Sequence, residues 1–389
     1  MVESKIKKGF LKPKHIGDPV VGKPWISDLT IADLDQDGLK DVIICDGKAN
    51  EVRWIRQTAL NVYEEQAIGD PVQGPAHVEV CDFEDDGDLD LLVASMGVIF
   101  PNNEKIGAVV IMEQTEPGIW VNHIVLDKVA RVTDVRAADF NGDGLKDLAV
   151  AQFGYVQGEA RWMKNLGNFE FESEILTNLS GAIHSPIADL NGDGHLDITI
   201  LVSQEWEEIH LYEGDGTRFR KKVIYGSTNE DYGSSGISLY DVDRDTDLDI
   251  LFTNGDAFDY ARPGPRPWHG VQWLENKGRG FFEFHRLGDF PGAYSPVACD
   301  IDGDADMDIL AVSGFNHWEN PSAVSLICYE NMGNERFLPR TLAHHPTHLI
   351  VLKAADMDDD GQIELVTGSF HAYPPFDHEF ARITLWDTQ

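Results

Sequence analysis

Apolar and polar residues alternate along this chain in blocks. A short apolar run, a nine-residue polar stretch crowded with acids, and a second apolar run recur seven times. Leu29-Thr30-Ile31-Ala32 leads into one such stretch and Val42-Ile43-Ile44-Cys45 leaves it. Short runs rich in Val, Ile and Leu, bounded by turn residues, read as β-strands. Each repeat goes on to a third run carrying an aromatic residue, as in Val52-Arg53-Trp54-Ile55, Ala160-Arg161-Trp162-Met163 and Val271-Gln272-Trp273-Leu274. A polar turn such as Asn165-Leu166-Gly167 or Asn276-Lys277-Gly278 then leads to a fourth, as in Phe282-Glu283-Phe284-His285. No helical period intervenes.

The acidic stretches begin at Asp33, Asp82, Asp139, Asp189, Asp241, Asp300 and Asp356, at intervals of 49 to 59 residues. Four strands at that spacing are one blade of a propeller. A single small sheet cannot bury both of its faces, so the blades must stack in a ring. The expected fold is therefore all-β: a seven-bladed β-propeller, four antiparallel strands (A to D) per blade, forming one domain over residues 1–389. Repeat seven ends after its third run, Arg382-Ile383-Thr384-Leu385-Trp386. The N-terminal segment Phe10 to Asp18 looks like a fourth strand, so it is expected to close the last blade and remove the open edge.

The acidic stretches place oxygen-bearing side chains at positions 1, 3, 5 and 9, with glycine usually at position 6. The sets are Asp33, Asp35, Asp37 and Asp41; Asp82, Glu84, Asp86 and Asp90; Asp139, Asn141, Asp143 and Asp147; Asp189, Asn191, Asp193 and Asp197; Asp241, Asp243, Asp245 and Asp249; Asp300, Asp302, Asp304 and Asp308; and Asp356, Asp358, Asp360 and Glu364. A tight loop gathering such groups calls for a hard divalent cation, and Ca²⁺ fits best. An EF-hand needs Glu at position 12 and flanking helices, whereas here the acid falls at position 9 between strands. Thr246 and Ala305 replace the glycine in loops 5 and 6, where a left-handed backbone costs a residue with a Cβ about 1 kcal/mol.

On these residues the chain resembles the FG-GAP/VCBS repeat family, which includes the integrin α-subunit propeller. Phe153-Gly154 and Gly292-Ala293 are partial echoes of the namesake motif, so the chain is more similar to bacterial VCBS-type propellers. The resemblance implies calcium in the loops and leaves the ligand open.

The net charge of −36 makes nucleic acid and anionic membranes poor partners. No apolar run is long enough to span a membrane, and the start MVESKIKKGF is no secretory signal. Calcium nevertheless favours a secreted, periplasmic or cell-surface location. Cys45, Cys81, Cys299 and Cys328 read as small buried hydrophobes rather than a disulfide framework.

Function is expected at the opposite face from the acidic A–B loops, where the B–C loops surround the channel mouth (a fold-level analogy). Blades 2, 5, 6 and 7 carry long B–C insertions: Met96 to Gly107, Asn254 to His269, Gly314 to Ser322 and Ser369 to Phe380. Aromatic faces beside carboxylates and amides suit sugar rings, although such aromatics also serve simply to pack loops. Candidate ligand-binding residues are Trp25, Glu79, Asp134, Gln204, Glu205, Asp256, Tyr260, His269, Tyr294, His317 and His371. Strand A adds ionisable residues: five before each first Asp come Asp28, His77, Asp134 and His184, and three before come Glu79, Arg136 and Lys353. The bland reading is a set of salt bridges around the axis. The sharper one is a site, with His77, His184 or His348 as a base, Arg136 as a charge stabiliser, and Tyr232, Tyr260 or Tyr294 as a proton donor.

His317, His344, His345, His348, His371 and His378 give this face the means to hold a transition metal, without a recognisable ligand spacing. Propellers of this look occur in polysaccharide lyases and in dehydratases similar to aldos-2-ulose dehydratase. The first expectation is thus a carbohydrate-binding propeller, a lyase or sugar dehydratase in its catalytic form. The rival is a non-enzymatic, integrin-like adhesion module using the same face for a protein. A deep cleft lined by His, Arg and Tyr would favour the first, and a flat top the second.

Overall fold

Burial on both faces dictates the architecture. In the computed structural model, which describes residues 6, 11–260, 262–333, 335–376 and 380–388, every B strand is buried along its whole length. Asp41–Asp46, Asp90–Ser95 and Asp249–Asn254 are examples. A strand buried on both sides must meet a neighbouring sheet on each. It does: Ile43 and Cys45 pack against Val78 and Leu91 of blade 2, while Val42 and Ile44 pack against Val351 and Val366 of blade 7. Seven apolar clusters of this kind lie between successive blades and take the place of one central core.

Each blade is an antiparallel sheet in the order A-B-C-D. Blade 1 runs Ile26–Ala32, Asp41–Asp46, Glu51–Ala59 and Val62–Ile68. In blade 4 the innermost strand is split into Ala182–His184 and Ile187–Ala188, both paired with Asp197–Val202. Blade 7 takes its fourth strand from the N-terminus, as expected from the sequence. Leu11–Ile16 pairs antiparallel with Ile383–Thr388, from Leu11 opposite Thr388 to Ile16 opposite Ile383. Phe10, read as the start of that strand, lies outside the described residues.

The period of two breaks in every A strand, each of which carries a bulge or irregularity near its start. A bulge tightens the local twist and turns one side chain aside. In blades 1, 3 and 5 that side chain is a hydroxyl which fastens the blade to the next one. Ser27 Oγ donates to Pro75 O at 2.5 Å, Thr133 Oγ1 to Ala182 O at 3.2 Å and Ser235 Oγ to Ala293 O at 2.6 Å. All four cysteines are free thiols, three buried and Cys81 half-buried.

Candidate functional site

Six of the acidic loops share one backbone plan, in which the position-1 carboxylate accepts from the amides of positions 5 and 6: Asp33 from Asp37 N at 2.9 Å and Gly38 N at 2.8 Å, Asp300 from Asp304 N at 3.0 Å and Ala305 N at 2.9 Å. In loop 5 Asp241 accepts from Thr246 N at 3.1 Å, and Asp245 N donates to Asp243 at 3.2 Å. Position 6 is left-handed even without glycine, with φ of 82° at Thr246 and 75° at Ala305. Position 4 is left-handed too, at Gln36, Asp85, Arg244 and Asp359. The glycines at 142, 192 and 303 were the available sign of this, and the sequence reading passed over it.

Position 9 does more than offer an oxygen. Asp249 accepts from Val242 N at 3.0 Å and from Asn276 N at 2.7 Å, tying the loop to the end of strand C. Asp41, Asp90, Asp197 and Asp308 make the same two kinds of bond. Asp147 bonds Asn165 N and Trp162 Nε1, and Glu364 bonds Met357 N. Burial pushes Asp249, Asp308 and Glu364 up to about 7 and Asp41 and Asp197 to about 6, with neighbouring loop carboxylates adding to the effect.

In four loops three carboxylates converge on one point. They are Asp33, Asp35 and Asp41; Asp241, Asp243 and Asp245; Asp300, Asp302 and Asp304; and Asp356, Asp358 and Asp360. Asp241 Oδ1 and Asp358 Oδ1 are buried without a hydrogen-bond partner, the condition a cation relieves. Asp37 and Asp35 of loop 1 are also met by Arg56. In loop 2 burial, together with a hydrogen bond to Asp90, raises Glu84 to about 8. Asp82 of that loop holds Asp86 N at 3.0 Å. In loops 3 and 4 the amides interpose: Asn141 Nδ2 donates to Asp143 at 2.9 Å and Asn191 Nδ2 to Asp197 at 3.4 Å, while Asp139 and Asp189 hold the amides of Asp143 and Asp193. Asp360 and Asp304 bond the amides two residues on.

At the other end of the A strands a cavity of about 260 Å³ occupies the channel mouth. Its wall includes Asp28, His77, Arg136, His184 and Lys353 from strands A, and Tyr155, Asp256, Phe258 and Asp259 from B–C segments. Asp134, fully buried, is the hub behind that wall. Arg136 Nε lies 3.0 Å from it, His77 Nε2 3.4 Å and His184 Nδ1 3.4 Å, and Ser185 N donates to it at 2.9 Å. Glu79 stands 3.7 Å from Arg136 and accepts from Ala137 N. Despite its burial, the charges of Arg136 and the histidines hold Asp134 well below the usual carboxylate range. Burial, helped by Arg136, pushes His77 down to about 4, so its ring is neutral above that pH. The salt-bridge reading of the strand-A charges therefore describes the hub, while His77 and His184 still face the cavity.

The mouth is lined by a second polar group. Tyr294 Oη donates to Asp256 at 2.9 Å, and both Tyr155 Oη and Gln204 Nε2 bond Asp259. Burial lifts Asp256 to about 6. Arg131 donates to Ile99 O and Phe100 O and lies 4.7 Å over the Phe153 ring. Beside these, aromatics from blades 1, 2, 5, 6 and 7 form a continuous layer. Trp25 meets Phe100 at 5.0 Å and Phe370 at 5.8 Å, and Phe258 meets Phe315 at 4.8 Å and Phe370 at 5.3 Å.

Other predicted residues lie elsewhere. Tyr232 is inside the cluster between blades 4 and 5, away from the cavity wall. His348 packs with Trp318, His371 and Phe376 in an aromatic nest, the two histidine rings 5.4 Å apart. His269 accepts from Gly292 N at 3.1 Å and Arg266 N at 3.3 Å, a structural role, and burial lowers it to about 4. Tyr260 lies under the Arg266 guanidinium, and Glu205 and His317 are exposed outside the wall. His344 bonds Ala323 O at 2.9 Å. Among the described residues the metal-type group that contains a histidine is Glu275, Glu283 and His285, on strands C and D of blade 5. His378 lies outside the described residues. Arg131, Tyr155 and Asp259 were missed because nothing local marks a residue whose partners come from another blade.

The fold and its acidic loops define a repeat β-propeller. Residues 33–93, 139–200 and 189–252 match the FG-GAP-like repeat, so this propeller carries FG-GAP-like repeats. No curated protein matches it. Among solved structures it is similar to BBS1N, determined in complex with ARL6DN and soaked with lead. That likeness has a TM-score of 0.54 at 10% identity and covers 95% of each chain, which speaks for the fold alone. Among the described residues, no helix is long and apolar enough to cross a membrane.

Proposed function

We propose that this chain is a calcium-stiffened propeller which binds a small polyhydroxylated ligand, of the carbohydrate class, at the mouth of its channel. The observation that carries this is the cavity itself, where carboxylates, tyrosine hydroxyls and guanidinium groups converge beside aromatic rings. Hydroxyls are read by such groups, and the apolar faces of a sugar stack on such rings. At about 260 Å³ the cavity falls just under the roughly 300–1,000 Å³ of drug-sized sites. It suits one sugar unit better than a polymer threading through.

Calcium would be held by positions 1, 3, 5 and 9, supplying charge neutralisation rather than chemistry. Loops 1, 5, 6 and 7, with three converging carboxylates, fit it best. Calcium dependence suits a secreted, periplasmic or cell-surface location. A lyase or dehydratase step would draw on His184, which is oriented by Asp134 and reaches the cavity.

A second reading, a protein-interaction module, is favoured by Ile119, Val121 and Ile124, which stand exposed on the outer strand Ile119–Val129 of blade 2. Titration calorimetry with neutral monosaccharides in calcium buffer separates the two. Heat of binding that disappears in Asp259→Ala supports the mouth as the site. Silence from every sugar, with a protein partner lost on Ile124→Asp, favours the second reading.

A further inference from the structure

Resting on that reading of the cavity, one group on its wall remains unaccounted for. Lys353, in the innermost strand of blade 7 (Leu349–Ala355), lines the cavity half-buried. Among the described residues its ammonium has neither an ion pair nor a hydrogen bond. Arg136 is held by Asp134 and Glu79. Arg131 gives Nη1 to two backbone carbonyls and feels the charges of Asp256 and Asp259, while its Nε and Nη2 make no hydrogen bond among the described residues. Of the nearby carboxylates, Asp28 accepts from Val78 N at 3.1 Å and faces His77 at 3.7 Å. A partly desolvated charge without a counter-ion is costly, so an incoming anion would recover that free energy.

Position along the strand gives direction. Lys353 lies two residues further from the mouth than Val351, roughly 6–7 Å at the strand rise. At the same level two blades away the wall offers no charge at Ser238, whose hydroxyl is turned to Pro296 O at 2.7 Å. The cavity thus has an ammonium without a counter-ion inside, and Arg131 with the carboxylates of Asp256 and Asp259 at its entrance.

We infer that the ligand is a sugar acid, a monosaccharide-sized ring whose carboxylate pairs with Lys353 while its hydroxyls meet Asp256, Asp259 and Tyr294. A single negative charge matches Lys353, whereas a phosphate dianion would bring a second charge towards the wall carboxylates Asp28, Asp256 and Asp259.

Titration calorimetry of the full chain in calcium buffer, with galacturonate, glucuronate, galactose, glucose and galactose 1-phosphate, tests this. The uronates are expected to bind about tenfold or more tighter than the neutral sugars, the scale of one charge-assisted hydrogen bond. Lys353→Met should abolish that preference, bringing uronate affinity down to that of the neutral sugars, without lowering the melting temperature, since it removes a charge that has no counter-ion. Galacturonate, and not galactose, should also shield Lys353 from acetylation, read by mass spectrometry. Equal affinities for charged and neutral sugars, a preference that survives in Lys353→Met, or tighter binding of the phosphate overturns the sugar-acid inference and leaves the carbohydrate site standing. No binding of any sugar overturns both.

Discussion

Thr246 and Ala305 show what a single position costs. Both hold φ near 80° at a place where five other loops have glycine. Replacing either with glycine should raise stability by about 1 kcal/mol, because the Cβ penalty of the left-handed region outweighs the extra freedom glycine gives the unfolded chain. Denaturant unfolding of Ala305→Gly checks this, and a lower midpoint would contradict it. His77 makes a pH prediction. Its folded value of about 4 lies below the ordinary 6.5, so between those values the unfolded chain takes up a proton that the native ring refuses. Stability contributed by neutral His77 is complete above pH 6.5 and is lost as pH falls towards 4, by about 3 kcal/mol. His77→Asn should therefore lose less stability than the parent between pH 7 and pH 4.5, measured by urea unfolding at each pH.

Among the elements, the strand Leu11–Ile16 matters most, because it is the one joining the two ends of the chain. Without it, Ile383–Thr388 becomes an open edge and Ile16 leaves the cluster it shares with Ile26, Val42 and Leu385. Deleting residues 1–18 should lower the melting temperature of the whole ring in a single transition, and an unchanged melting curve would refute the closure. This strand was legible in the sequence because its pattern repeats the fourth strand of other blades. The bulged A strands were not. Ser27, Thr133 and Ser235 look like ordinary strand residues, and only the neighbouring blade reveals that their hydroxyls fasten one sheet to the next. The two-way clamp by the position-9 acids was hidden for the same reason, since Asn276 N lies 27 residues from Asp249.

For the whole molecule, the closed ring and the acidic loops are one system. Lys40 of loop 1 reaches Asp359 of loop 7 at 2.9 Å, and Lys146 of loop 3 reaches Asp85 of loop 2. The remaining repulsion within a chain of net charge −36 is what bound cations would offset. Chelation with EDTA should lower the melting temperature, and calcium should restore it. Each site saturated at a hundredfold its Kd contributes about 2.7 kcal/mol. Identical melting curves with EDTA and with excess calcium would refute a structural role for the loops.

Repetition made the fold readable from sequence alone. Spacing, strand period and loop chemistry are local properties, and each was stated seven times, so blade number, strand order and the acidic oxygens followed from the chain as written. The cavity is another matter. Asp134 is a hub only because blades 2 and 4 bring His77 and His184 to it, and Asp259 meets Tyr155 and Gln204 across blades 3 to 5. Such a site is built from one or two residues per repeat, at positions where the repeats differ, and no periodic signal marks them. Ring closure alone decides which of those differences face one another.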